Sequence, residues 1–153
     1  MSCFGMGIVL ERLLKNTKIL VIWHICHIIV IRGGQMTNFT VVPYQGVNGD
    51  IPIKDFLNSL DVKMRAKIYG MIELLQEKGN QLREPYSKHL DDGIFELRCK
   101  VGSNITRVLY FFYYKGQIIL TNGFVKKTQR TPPAEIELAK KRRYDYITRM
   151  EKS

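Results

Sequence analysis

The run Ile105-Thr106-Arg107-Val108-Leu109-Tyr110-Phe111-Phe112-Tyr113-Tyr114 constrains this chain more than any other. It is nearly all apolar and aromatic, interrupted by Arg107. A strand of that kind needs cover on both faces, which places it in the middle of a sheet. Its neighbours in sequence supply two partners. In Ile94 to Val101, Phe95, Leu97, Cys99 and Val101 point one way while Glu96, Arg98 and Lys100 point the other. Gly102-Ser103-Asn104 makes the hairpin turn. Lys115-Gly116-Gln117 turns the chain into a third strand, Ile118 to Val125. The three form an antiparallel meander.

Helices must then cover that sheet. Ahead of it, Thr37 to Tyr44 is β-branched and aromatic, a first strand that Pro43 confines to an edge or an end. Ile51 to Leu60 reads as a short helix with Pro52 near its start. Asp61 is placed to N-cap a longer one, in which Val62, Ala66, Tyr69, Ile72 and Leu75 make an apolar stripe and Gly79-Asn80 the stop. A last helix, about Ala134 to Met150, gathers Ile136, Ala139, Arg143, Ile147 and Met150 on one face. The predicted order is β, α, α, β, β, β, α, an α+β domain.

The first 35 residues read differently. Ile19 to Ile31 is apolar except for His24 and His27, yet short of the about 20 residues that span a bilayer. Arg12, Lys15 and Lys18 ahead of it suit a signal peptide, but Arg32-Gly33-Gly34-Gln35 offers no small-x-small cleavage site. His24, Cys26 and His27 lie too close together in a β-branched run to converge on a metal. Arg32 to Met36 back-translates to a purine-rich AGGAGG tract just ahead of an ATG. The expectation is a non-native or flexible leader over 1–35, with Met36 as the true start and one domain over 36–153. Dropping Arg12, Lys15, Lys18, Arg32 and Glu11 leaves 20 Lys+Arg against 13 Asp+Glu, so the leader is not the source of the charge.

Over the whole chain 24 Lys+Arg face 14 Asp+Glu, a formal net charge of +10. Charge of that size speaks to partners: nucleic acid, an anionic membrane surface or an acidic protein. Cys3, Cys26 and Cys99 are odd in number and irregularly spaced, which suggests neither a disulfide framework nor a zinc site and makes a reducing, cytoplasmic setting the default. The charge is concentrated where the third strand hands over to Lys126, Lys127 and Arg130, followed by a helix with Lys140-Lys141-Arg142-Arg143. Each element also has a plainer reading. Arg107 would pair with Glu96 on the neighbouring strand, Lys126 and Lys127 would lie in a solvated loop, and the helix cations would form an exposed face. Tyr110 to Tyr114 read as core in preference to a base-stacking platform.

Four blocks in order carry a family resemblance: Lys88-His89-Leu90-Asp91-Asp92-Gly93-Ile94-Phe95-Glu96-Leu97-Arg98, Thr106-Arg107-Val108-Leu109-Tyr110-Phe111-Phe112, Gly123 to Pro132 and Glu135 to Lys140. From about Met36 to Met150 the chain resembles the HigB-like branch of the RelE-type toxins, including its phage-derived members. The resemblance implies the βααβββα fold, with a small antiparallel sheet, two N-terminal helices and a C-terminal one. It also implies a type II toxin that cleaves mRNA, on the ribosome, without metal or other cofactor, and that a helix-turn-helix antitoxin neutralises. No membrane partner is implied. Carried over residue by residue, it assigns Arg98 to a cation facing the RNA and Arg107 to the scissile phosphate. Lys126 and Lys127 take the basic positions after the last strand. Lys88, Lys100, Arg130, Lys140 and Arg143 are the expected RNA contacts. The proton-transfer groups depart from the pattern: no histidine follows His89, and Tyr144 and Tyr146 align only loosely with a catalytic tyrosine. A lysine serves as base if neighbouring cations depress its pKa, and Lys126 beside Lys127 is such a setting. The remaining alternative is a non-catalytic basic module that binds RNA or an acidic partner.

Overall fold

A computed structural model describes residues 39–153 of the chain. The expectations for the leader, and Met36 as start, lie outside the described residues. The elements run β1 (Thr40–Pro43), α1 (Pro52–Ser59), α2 (Val62–Lys78), β2 (Ser87–Asp91), β3 (Ile94–Val101), β4 (Asn104–Tyr113), β5 (Gln117–Val125) and α3 (Pro133–Glu151). The fold is α+β, and its order is that of a RelE-like domain with one strand, β2, added ahead of the meander. The five strands lie side by side as β1-β5-β4-β3-β2. All pairs are antiparallel except β1 with β5, which is parallel, so the sheet is mostly antiparallel, as expected, with one parallel pair at its edge. The strand β2 is a further element that the sequence pattern does not announce.

Strand β4 is the covered central strand its composition demands: Thr106 to Phe111 are all buried. Alternation along the strands divides the core in two. Leu97, Cys99, Val108, Tyr110, Ile118 and Leu120 face helices α1 and α2, packing on Ile53, Leu57, Met64, Ile68 and Leu75. On the other face Ile94, Leu109, Phe111 and Ile119 meet Ala139 and Tyr146 of α3. Tyr114, the last of the aromatic run, is exposed.

The stripe of α2 is Met64, Ile68, Met71, Ile72 and Leu75, which corrects the predicted one: Val62 and Ala66 are exposed. Likewise α3 buries Ala139 and Tyr146, while Met150 is exposed and Arg143 reaches the β2–β3 turn. The cap at Asp61 forms as expected, its Oδ1 accepting from the Met64 N–H at 2.9 Å. Asp61→Ala is expected to cost about 1 kcal/mol in denaturant melts. Arg65, one turn on, donates to the carbonyls of Leu57, Asn58 and Leu60, closing the end of α1. Helix α2 ends at Gly79, whose φ of +53° suits glycine and whose absent Cβ leaves room for the Phe39 ring. The Val41 N–H donates to the buried Gln76 Oε1 at 3.2 Å, so a helix side chain closes the β1 edge.

A bulge sets the register of β5. Leu109 pairs with Asn122 but Tyr110 with Leu120, which leaves Thr121 as the extra residue. The Thr121 hydroxyl donates to the Leu109 carbonyl at 3.1 Å, filling the break in the ladder. Beyond the bulge, Asn122 and Phe124 lie on the α3 face and Gly123 on the other, where a Cβ would collide with Phe56 of α1. A regular strand would have reversed these positions, because side chains alternate with a period of two.

Candidate active site

Below the start of α3, the exposed ends of β3, β4 and β5 carry charge where the rest of that face carries core. The cross-strand pairs Lys88 with Glu96 and Arg98 with Arg107 put four charged side chains on this face, since directly opposed residues share a side. Glu96 is the hub. It is 1% exposed, and its Oε1 accepts from Arg98 Nε at 2.9 Å while its Oε2 accepts from the Thr131 hydroxyl at 2.5 Å. Arg107 Nε lies 3.6 Å from the same Oε2, an ion pair too long to be a hydrogen bond. Arg98 also reaches Glu84 at 3.2 Å. Burial opposes ionisation of Glu96. The Thr131 and Arg98 hydrogen bonds and the charges of Arg107 and Arg98 outweigh it and hold the carboxyl below its usual range.

Arg107 is 8% exposed. Its Nη1 donates to the Thr106 carbonyl at 2.9 Å, and its Nε is buried without a hydrogen-bond acceptor. Burial lowers its pKa and Glu96 partly restores it, but a guanidinium remains charged in any protein setting. A buried donor with no acceptor costs free energy, and here the nearest acceptor is the Glu96 Oε2 at 3.6 Å.

Lys126 joins the cluster because its backbone N–H donates to the Ile105 carbonyl at 2.8 Å, carrying the ladder one residue past β5. Its ammonium is disfavoured first by burial and then by Arg107, with Arg98 and Lys88 adding and Glu96 opposing, so its pKa falls below the ordinary lysine value. The direction is the expected one, but the cause is burial and the two arginines in place of Lys127, which is exposed at the next position. Lys100 and Arg130 are also exposed.

Lys140 and Arg143 are not brought to this cluster. Lys140 pairs with Asp91 at 2.6 Å and Glu137 at 3.0 Å, and Arg143 pairs with Asp92 at 3.5 Å, which together fasten α3 to the β2–β3 turn. Arg142 donates to the Thr121 carbonyl at 3.1 Å and, with Arg149, covers the Tyr44 ring. The basic run of α3 thus spends most of its charge on the fold. The sequence reading treated Glu96 only as a structural partner and passed over Thr131. Nothing local signals Thr131, whose partner is 35 residues away. Among the described residues no group of three or more His, Cys, Asp or Glu side chains is placed to hold a metal ion. Nor is any described helix long and apolar enough to cross a membrane.

The model for the family described as "Phage derived protein Gp49-like (DUF891)" matches residues 55–144, more than half of the chain and all of β2 to β5. The chain belongs to the phage-derived Gp49-like family. That family is RelE-like and toxin-like. Among curated proteins no match to the chain is found. The Gp49-like match contains Glu96, Arg98, Arg107, Lys126 and Thr131 alike, so the whole cluster lies inside the family domain.

Proposed function

We propose that this Gp49-like protein is the toxin of a type II toxin–antitoxin pair, of the HigB-like branch, and cleaves mRNA on the ribosome without metal. One observation carries the reading: Arg98, Arg107 and Lys126 converge around a single buried carboxylate, with a buried Arg107 N–H that lacks an acceptor. In the proposed step the RNA 2′-hydroxyl gives its proton to neutral Lys126 and attacks the adjacent phosphorus. The P–O5′ bond breaks as the O2′–P bond forms, leaving a 2′,3′-cyclic phosphate and a 5′-oxyanion that takes a proton from water to become a hydroxyl. Negative charge gathers on the nonbridging oxygens, where planar guanidiniums stabilise it. Arg107 supplies that contact and Glu96 fixes both arginines for it. The depressed pKa of Lys126 makes a neutral amine accessible nearer physiological pH. A helix-turn-helix antitoxin encoded beside the gene would cover this face.

A second reading has two observations of its own: both arginines are already committed to Glu96, and among the described residues no histidine stands in the cluster. A non-catalytic RNA-binding module would look the same. Incubating purified protein with translating ribosomes separates the two. Cleavage of the ribosome-bound message supports the enzyme; retained RNA binding with intact message supports the module. For binding itself, affinity for single-stranded RNA is expected to fall with salt at a log–log slope of about −0.7 per phosphate contact. A slope near zero would remove the electrostatic basis of either reading.

A further inference from the structure

Strand β2 covers β3 only as far as the pair Ser87–Leu97, with one more bond from the Arg98 N–H to the Tyr86 carbonyl at 2.8 Å. Past that point β3 is an open edge. A groove of about 390 Å³ opens there, lined by Lys67 and Met71 of α2, Pro85, Tyr86, Arg98, Cys99, Lys100, Ile105 and Arg107. Its lining holds four cations and no carboxylate. The floor of Met71, Cys99 and Ile105 is apolar, and Tyr86 stands half out of the surface at 49% exposure. Arg98 and Arg107 belong to both the groove and the Glu96 cluster, so the two are continuous.

Lys67 has no part in the cluster, and it is exposed on a helix from the opposite layer of the domain. An apolar floor and an aromatic rim suit a planar base, whereas cations without a carboxylate suit phosphate. An acidic peptide would use the cations but leave the Tyr86 platform without purpose. The buried Arg107, with its Nε short of an acceptor, stands at the junction. We infer that this groove is a nucleotide subsite next to the scissile phosphate, in which Tyr86 stacks on an unpaired base and Lys67 and Lys100 hold the phosphate beyond it. The inference rests on the RNA reading above and adds to it a strand path that leaves the sheet face and crosses the edge of β3 towards α2. Tyr86 and Lys67 are positioning residues: they hold the strand and take no part in proton transfer.

The test uses the full chain and a fluorescent, 2′-O-methylated hexanucleotide, which binds but lacks the attacking hydroxyl. Tyr86→Ala is expected to weaken binding about tenfold and Tyr86→Phe to leave it nearly unchanged. Lys67→Glu is expected to weaken binding and flatten its salt dependence, while Lys152→Glu at the far end of α3 provides the control for a bare change of charge. Thermal melts confirm that each variant is folded; both groove positions are exposed or half-exposed. If Tyr86→Ala and Lys67→Glu bind as the unaltered protein does while Arg98→Ala binds weakly, the groove assignment is overturned and the RNA reading stands. If the unaltered protein does not bind the hexanucleotide, both fall. Equal competition by polyglutamate, insensitive to Tyr86→Ala, assigns the groove to acidic chains and overturns the inference.

Discussion

Replacing Arg107 with alanine is expected to slow RNA cleavage by roughly a hundredfold per folded molecule, a loss of about 3 kcal/mol of transition-state stabilisation. The argument starts from its position: a guanidinium held between β3 and β5, 8% exposed, with one N–H bonded to the Thr106 carbonyl and another without an acceptor. Arg107→Lys keeps the charge but not the planar fork, and is expected to lose nearly as much rate. Both variants also weaken the ion pair with Glu96, so stability falls as well. Single-turnover cleavage, normalised to the folded fraction from thermal melts, separates the effects. Undiminished cleavage by folded Arg107→Ala would leave the arginine with a structural role alone.

The second large effect is on stability. Glu96→Ala removes the carboxylate that neutralises Arg98 and Arg107 and strands Arg107 as a buried charge, at a cost of about 3 kcal/mol. In a domain of this size that lowers Tm by about 10 °C. The pH dependence has a definite sign. The folded carboxyl titrates below its ordinary value of 4.5, so its contribution is present in full above pH 4.5 and is lost as pH falls through the lower, folded value. Glu96→Gln is expected to lack that part of the acid transition. A Glu96→Ala protein within 1 kcal/mol of the parent in urea melts would show that the two arginines do not depend on it.

Much of the fold was legible because its strongest signals are local. The alternation in Ile94–Val101, the apolar run of β4 and the Asp61 cap each act within a few residues. What escaped depends on distant partners. Ser87-Lys88-His89-Leu90-Asp91 is polar enough to read as loop and becomes a strand only because β3 offers it an edge. The parallel pairing of β1 joins Thr40 to Gln117, a contact no local pattern encodes. In α2 the apolar residues are spread around the helix, and only packing under the sheet selects Met64 and Ile68 over Val62 and Ala66. For the site, Arg98, Arg107 and Lys126 were named through family resemblance. The role of Glu96 as their common anchor emerges only once three strands and the loop bearing Thr131 are brought together.

The extra residue at Thr121 acts as a parity switch for everything after it. With Thr121 bulged out, Lys126 is presented to the arginines and Lys127 to solvent; were Thr121 taken into the ladder as a regular residue, even and odd positions would trade places, and Lys127 would be the one delivered. Two adjacent lysines at the strand's exit mean that either parity brings an amine to Glu96. The doublet therefore makes the cation count of the site robust to a one-residue slip in the register of β5. The carbon skeleton is less tolerant: in that slipped register Phe124 and Asn122 would swap sides with Gly123, keeping a lysine at the site while emptying the core beneath α3, whereas deleting Thr121 would leave Asn122 opposite Leu109 and every later face unchanged.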